Sequence, residues 1–149
     1  MEDIPKENIY LWAFNVLRYD KLRKIPGCSG LVDIFAVTLD TAFIKQIAAV
    51  LNLPDANVFI DSQITPELAN NRCRAFFRNS AELKKQGTPH LYIVYCGGHG
   101  VSKDEKQIFL LNTEDKTKVQ FKVEEKFRTI SNSFDARVCC IYDVCRVAV

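Results

Sequence analysis

Two of the most apolar runs in the chain end in side chains capable of covalent chemistry: Leu91-Tyr-Ile-Val-Tyr-Cys-Gly-Gly-His99-Gly100 and Arg137-Val-Cys-Cys-Ile-Tyr-Asp143-Val-Cys145-Arg146. A cysteine thiol, with a reference pKa of about 8.5, is only a few per cent thiolate at neutral pH, so an adjacent imidazole must activate it and later protonate a leaving amine. Cys145 reads as the nucleophile and His99 as its base. The backbone N–H groups of Gly100 and Cys145 are candidates to hold the oxyanion of a tetrahedral intermediate, and glycine permits the backbone angle this needs. Each assignment has a plain structural alternative. Cys145 could be an ordinary buried thiol, His99 a turn histidine and Asp143 a turn cap. Cys139 and Cys140, inside the second run, read as structural, Cys73 and Cys96 as core, and His90, beside Pro89, as a surface residue.

The elements that must position these residues read as alternating strands and helices. Residues 9–16 are apolar on both alternating faces, as in a central strand covered above and below. Residues 17–39 contain the turn-rich Pro26-Gly27-Cys28-Ser29-Gly30 and give no secure assignment. From Asp40, the apolar positions Ile44, Ile47, Ala48 and Leu51 predict a helix that Asp40 or Thr41 would cap, and Pro54 follows its end. Residues 58–60 read as a short strand. Thr65-Pro66-Glu67 opens a helix with a capping hydroxyl, a proline in the first turn and an acid at the positive end of the dipole; Leu68, Cys73, Phe76 and Phe77 are expected to face inward. Residues 91–96 predict a buried strand ending in glycines, 108–111 and 119–123 two short strands, 124–132 a helix and 138–142 a last strand.

This order predicts an α/β fold with a mostly parallel sheet and helices on both faces. Functional crevices in such sheets lie beyond the carboxyl ends of the strands, where the sequence puts both His99 and Cys145. At 149 residues and 48% hydrophobic content the chain suits a single domain, residues 1–149, with a core of its own. A net charge of +2 offers no field that would imply a nucleic-acid or membrane partner. The polar start, Met1-Glu-Asp-Ile-Pro-Lys-Glu-Asn8, is unlike a secretory signal, and no apolar run is long enough for a span, so the expectation is a cytoplasmic protein with reduced thiols. The six cysteines include no Cys-x-x-Cys pair and there are two histidines, which leaves zinc a weak option. No loop with ordered carboxylate spacing is present for calcium.

The two motifs together resemble the caspase and metacaspase family of cysteine peptidases. An apolar strand leads to Gly98-His99-Gly100 and a second leads to Asp143-Val144-Cys145-Arg146, at a separation close to the roughly 50 residues of caspases. Asp40-Thr-Ala before a helix, and Phe59-Ile-Asp61 before Thr65-Pro66, also look like metacaspase segments. The resemblance implies a three-layer α/β/α caspase-like fold, with His99 and Cys145 as catalytic dyad. Aspartate two residues before the cysteine is the metacaspase pattern, so Asp143 would pair with a substrate arginine or lysine; a carboxylate can do so through two charge-assisted hydrogen bonds. Asp40, Cys28 and Gly97 would join the substrate pocket, with Asp33 competing with Asp40 for the acidic position. Gly97 stands where metacaspases usually carry serine. Calcium activation is allowed by the resemblance, and no other cofactor is implied.

The chain ends soon after Cys145, whereas the family continues with further strands. The expectation is therefore a large-subunit-like domain lacking the last strands, completed by a carboxyl-terminal small-subunit-like segment or partner chain. The function expected is a cysteine endopeptidase acting on protein or peptide substrates after arginine or lysine. The alternative is a catalytically impaired scaffold on the same fold that works by binding. A nucleotide binder is disfavoured by the lack of a glycine-rich loop after the first strand.

Overall fold

A strand buried on both faces must place alternate side chains in two different cores, and β1 (Ile9–Asn15) does this. The computed structural model describes residues 3–34 and 41–146, with the backbone alone for Thr41, Cys145 and Arg146. After β1 come α1 (Thr41–Val50), β2 (Val58–Asp61), α2 (Pro66–Lys85), β3 (His90–Lys103), β4 (Lys106–Leu110), β5 (Gln120–Phe121), α3 (Val123–Ser133) and β6 (Ala136–Arg146). Trp12 and Phe14 enter the larger core with Ala69, Cys73 and Phe76 of α2 and Val123, Phe127 and Ile130 of α3. Leu11 and Ala13 enter a smaller one with Ile44 and Ala48 of α1 and with Leu53. Helices thus pack against both faces of the sheet.

The capping signals read from the sequence act as expected in α2. The Thr65 hydroxyl accepts a hydrogen bond from the Leu68 N–H at 3.2 Å, Pro66 and Glu67 occupy the first turn, and Lys84 and Lys85 the last. Phe76 is buried, but Phe77 is 43% exposed and turns its ring onto Phe134. Adjacent helix positions lie about 100° apart, so one aromatic of such a pair leaves the core.

The sheet is mixed. β1 pairs in parallel with β2 and β3, and β6 pairs in parallel with β3 along its whole first part, from His90 opposite Ala136 to Gly100 opposite Arg146. The far end of β3 instead meets β4 antiparallel, and β5 continues that ribbon. The reversal is local: Asp104 and Glu105 form a two-residue link with φ of 52° and 63°, the left-handed pair that matches hairpin twist. So short a link cannot make a parallel crossover.

Several expectations change here. Residues 97–100 are not a glycine loop beyond the strand; β3 runs through His99 to Lys103. Cys145 likewise lies within β6 rather than past its end. Both extensions have one cause, because each strand supplies the other's backbone partners as far as Gly100 and Arg146. His90 is not a surface residue: it is fully buried, its ring hydrogen-bonded to Ser80 and to the Thr88 carbonyl. Cys139 is exposed, Cys140 half-buried, and Cys73 and Cys96 belong to the core. Residues 31–34 form no regular element, and Asp40 lies outside the described residues. Among the described residues no helix is long and apolar enough to cross a membrane.

Candidate active site

β3 and β6 set the backbone of the site. His99 and Cys145 are register partners in the parallel ladder, as are Gly97 and Asp143. Neighbouring strands lie about 4.8 Å apart, so the two chains present these residues side by side. Gly100 sits at a junction, pairing with Arg146 on one edge of β3 and with Phe109 on the other.

The imidazole of His99 is 6% exposed. Its Nε2 lies 2.7 Å from the carbonyl oxygen of Val32. A carbonyl can only accept, which assigns the proton of the neutral ring to Nε2 and leaves a lone pair on Nδ1. That Nδ1 is buried and has no hydrogen-bond partner among the described residues. A ring held this way has the chemistry to accept a proton at Nδ1.

The segment between β1 and α1, which the sequence left unassigned, supplies the other contacts. Tyr19 is fully buried; its ring packs against the His99 ring at 4.6 Å, and its hydroxyl accepts the His99 backbone N–H at 2.7 Å. Gly98 must be glycine for this. With φ at +154°, a Cβ there would come to 2.7 Å from the Tyr19 hydroxyl, 2.9 Å from the Phe109 ring and 2.9 Å from the Val16 carbonyl oxygen. Side chains from the flanking loops fix this segment. Gln63, itself at φ 49°, accepts the N–H groups of Leu17 and Arg18 and donates back to the Arg18 carbonyl. Asn112 accepts those of Lys21 and Leu22.

Asp143 is exposed, and its carboxylate accepts a 2.8 Å hydrogen bond from the Tyr95 hydroxyl. Its other oxygen has no partner among the described residues. Burial, reinforced by the adjacent Asp143 carboxylate, pushes the Tyr95 phenol up to about 12, so it remains a donor at neutral pH. Asp33 is committed within its own loop: it takes Arg23 Nη1 at 2.6 Å and the Tyr19 N–H at 2.9 Å, and Arg23 first, then Tyr19, hold its carboxyl below the usual range. Cys28 is half-buried, packed against the larger core on the way to Val32.

Burial distinguishes several of the other thiols. It pushes Cys73 up to about 12, Cys140 to about 11 and Cys96 well above its ordinary value, so all three remain protonated and unreactive. Among the described residues no group of three His, Cys, Asp or Glu side chains gathers for a metal ion. Glu114 is tied to Lys24, and Asp115 to Thr117 and Lys118.

The structure therefore brings His99, Cys145, Gly97, Gly100 and Asp143 together on two strands. Sequence reasoning missed Tyr19, Val32 and Tyr95. Tyr95 had a usable signal, since it stands two residues before Gly97 and so on the same side of the strand as the expected pocket. Tyr19 and Val32 had none, being residues of an irregular segment whose path depends on distant partners. No family model matches the chain, and no curated protein matches it.

Proposed function

We propose that the protein is a cysteine endopeptidase of metacaspase type, on a three-layer caspase-like fold, that cleaves peptide bonds after arginine or lysine. One observation carries the reading: a buried His99 whose Nε2 is engaged by the Val32 carbonyl and whose free Nδ1 belongs to the register partner of Cys145. In the proposed reaction Nδ1 takes the Cys145 thiol proton as sulfur attacks the scissile carbonyl. The reading assigns the oxyanion to the backbone N–H groups of Gly100 and Cys145, which must leave the β3–β6 ladder to receive it. Collapse expels the amine, which receives the proton from His99, and leaves an acyl-enzyme. Water, deprotonated by His99, then releases the acid and restores the thiol. Asp143, with Tyr95 fixing one carboxylate oxygen, pairs with the substrate cation through the other.

A reduced, cytoplasmic setting suits the free cysteines among the described residues. β6 pairs with β3 alone among the described residues, and Ile141 on it is 41% exposed. This favours a further strand, from a carboxyl-terminal segment or a partner chain, adding to its outer edge. The same open edge supports the second reading, a binding scaffold without turnover. The discriminating experiment offers peptides that differ only in arginine, lysine or aspartate before the scissile bond, with and without such a segment. Cleavage after arginine or lysine, lost in C145A, supports the peptidase. Cleavage after aspartate alone removes the Asp143 assignment. No turnover in any combination, with no preferential alkylation of Cys145, moves the function to the scaffold.

A further inference from the structure

A carbonyl can fix a histidine tautomer only if its own backbone is held in place, and Val32 lies in a segment with no regular structure. Ladders and helices do not hold it. Leu31 and Ile34 anchor the segment in the larger core, and between them one ion pair grips the residues on either side of Val32. Arg23 Nη1 donates to the Leu31 carbonyl at 3.2 Å and to Asp33 Oδ1 at 2.6 Å, the positions immediately before and after Val32. The same Asp33 oxygen accepts the Tyr19 N–H at 2.9 Å. The neighbouring Ile34 N–H donates to the Leu17 carbonyl at 2.8 Å, which closes the loop on its own beginning.

We propose that Arg23 and Asp33 are positioning residues for His99, acting through Val32 and Tyr19. The pair joins the two groups that touch the imidazole: the carbonyl that takes Nε2–H, and the tyrosine that lies against the ring and receives the His99 N–H. With the pair intact, carbonyl and phenol form one rigid cradle, and the ring has a single proton arrangement. Without it, Val32 can withdraw, the Nε2 proton loses its acceptor, and the proton can move to Nδ1, the nitrogen that must accept from the thiol. Asp33 is then spent on architecture rather than on a substrate cation. Its catalytic consequence rests on the peptidase reading, whereas its effect on the tautomer does not.

The ion pair is only partly covered, with side chains 32% and 27% exposed, so its value lies in geometry more than in stability. Apart from the His99 contact itself, the side-chain hydrogen bonds that grip positions 31–34 among the described residues all run through Arg23 or Asp33.

The experiment uses R23M and D33A, with R23K as the conservative control, in the full chain. Nitrogen–proton correlation spectra of the imidazoles report the tautomer directly, and the chain's two histidines make His90 an internal reference. His90 is bonded to Ser80 and Thr88, remote in sequence from this loop. The expected result is a wild-type His99 protonated on Nε2, a mixture with Nδ1-protonated ring in R23M and D33A, an unchanged His90, and partial recovery in R23K. Turnover of a basic peptide should fall about 10- to 100-fold in kcat with KM little altered, the signature of a displaced base. His99 spectra and kcat identical to wild type in both variants would overturn the proposal. So would equal changes at His90, which mean general loosening. If the wild type hydrolyses nothing while the tautomer still shifts in the variants, the peptidase reading falls and the brace stands. Should D33A not fold, D33N reads the same tautomer with the side-chain volume retained.

Discussion

His99 and Cys145 occupy the same register position on adjacent parallel strands, and the histidine's unengaged nitrogen is the buried Nδ1. Register in a sheet is all-or-none, because a slip of one residue turns every side chain to the other face. The pairing of the two residues is thus fixed by the whole β3–β6 ladder, which begins at His90 and Ala136.

If His99 is the base, H99A should lower kcat for an arginyl peptide by about 10²- to 10⁴-fold with little change in KM. C145A should remove covalent turnover altogether. The check is steady-state kinetics beside mass mapping of a limiting alkylating agent: label should gather at Cys145 and avoid Cys73, Cys96 and Cys140, whose thiols burial keeps protonated.

Tyr95 and Asp143 give a separate prediction about specificity. Y95F removes the 2.8 Å hydrogen bond to the carboxylate and should raise KM for arginyl peptides several-fold, since a neutral donor to a charged acceptor contributes about 1–2 kcal/mol. D143N should abolish the preference for basic over neutral residues. Unchanged selectivity in D143N would place the pocket elsewhere.

Gly98 tests the packing that seats Tyr19. G98A meets the phenol, the Phe109 ring and the Val16 carbonyl, all closer than 3.0 Å, and puts a side chain at φ +154°. The expected loss is about 2–4 kcal/mol of stability, read by thermal or denaturant unfolding. G30A, with nothing within 4 Å of its Cβ, is the matched control and should change stability little.

A pH dependence follows from Asp61 at the end of β2. Burial by itself would raise its pKa, but hydrogen bonds from Arg72 and the Trp12 indole, at 2.9–3.0 Å, outweigh this and leave it lowered. A depressed folded pKa means stability fully present above the unfolded value, near 4, and lost as the pH falls through the folded one. Wild type should therefore lose stability below about pH 4, and R72M, about 2 kcal/mol less stable at pH 7, should lose less on acidification. Urea midpoints at pH 7 and pH 3 measure both.

How much of this was readable in order of residues differs from element to element. α2 announced itself through Thr65, Pro66 and Glu67, and each does locally what its chemistry predicts. β1 was legible because both of its faces are apolar. β3 and β6 were recognised but cut short, since glycines and polar residues signal an ending when read alone, and only pairing with each other carries both strands on through His99 and Cys145. His90 misled for the opposite reason: its neighbours looked exposed, while its buried partner Ser80 lies on α2.

Residue order was enough for the local facts: which runs are apolar, where helices are capped, and that one histidine and one aspartate-cysteine pair end two strand-like segments. These depend on near neighbours along the chain. The tertiary structure alone decided that His99 and Cys145 share a register, that Val32 takes the Nε2 proton, and that Tyr19 and Arg23–Asp33 hold the arrangement. Those relations join residues far apart in sequence through an irregular segment, and hydrogen bonds of that kind leave no periodicity to read.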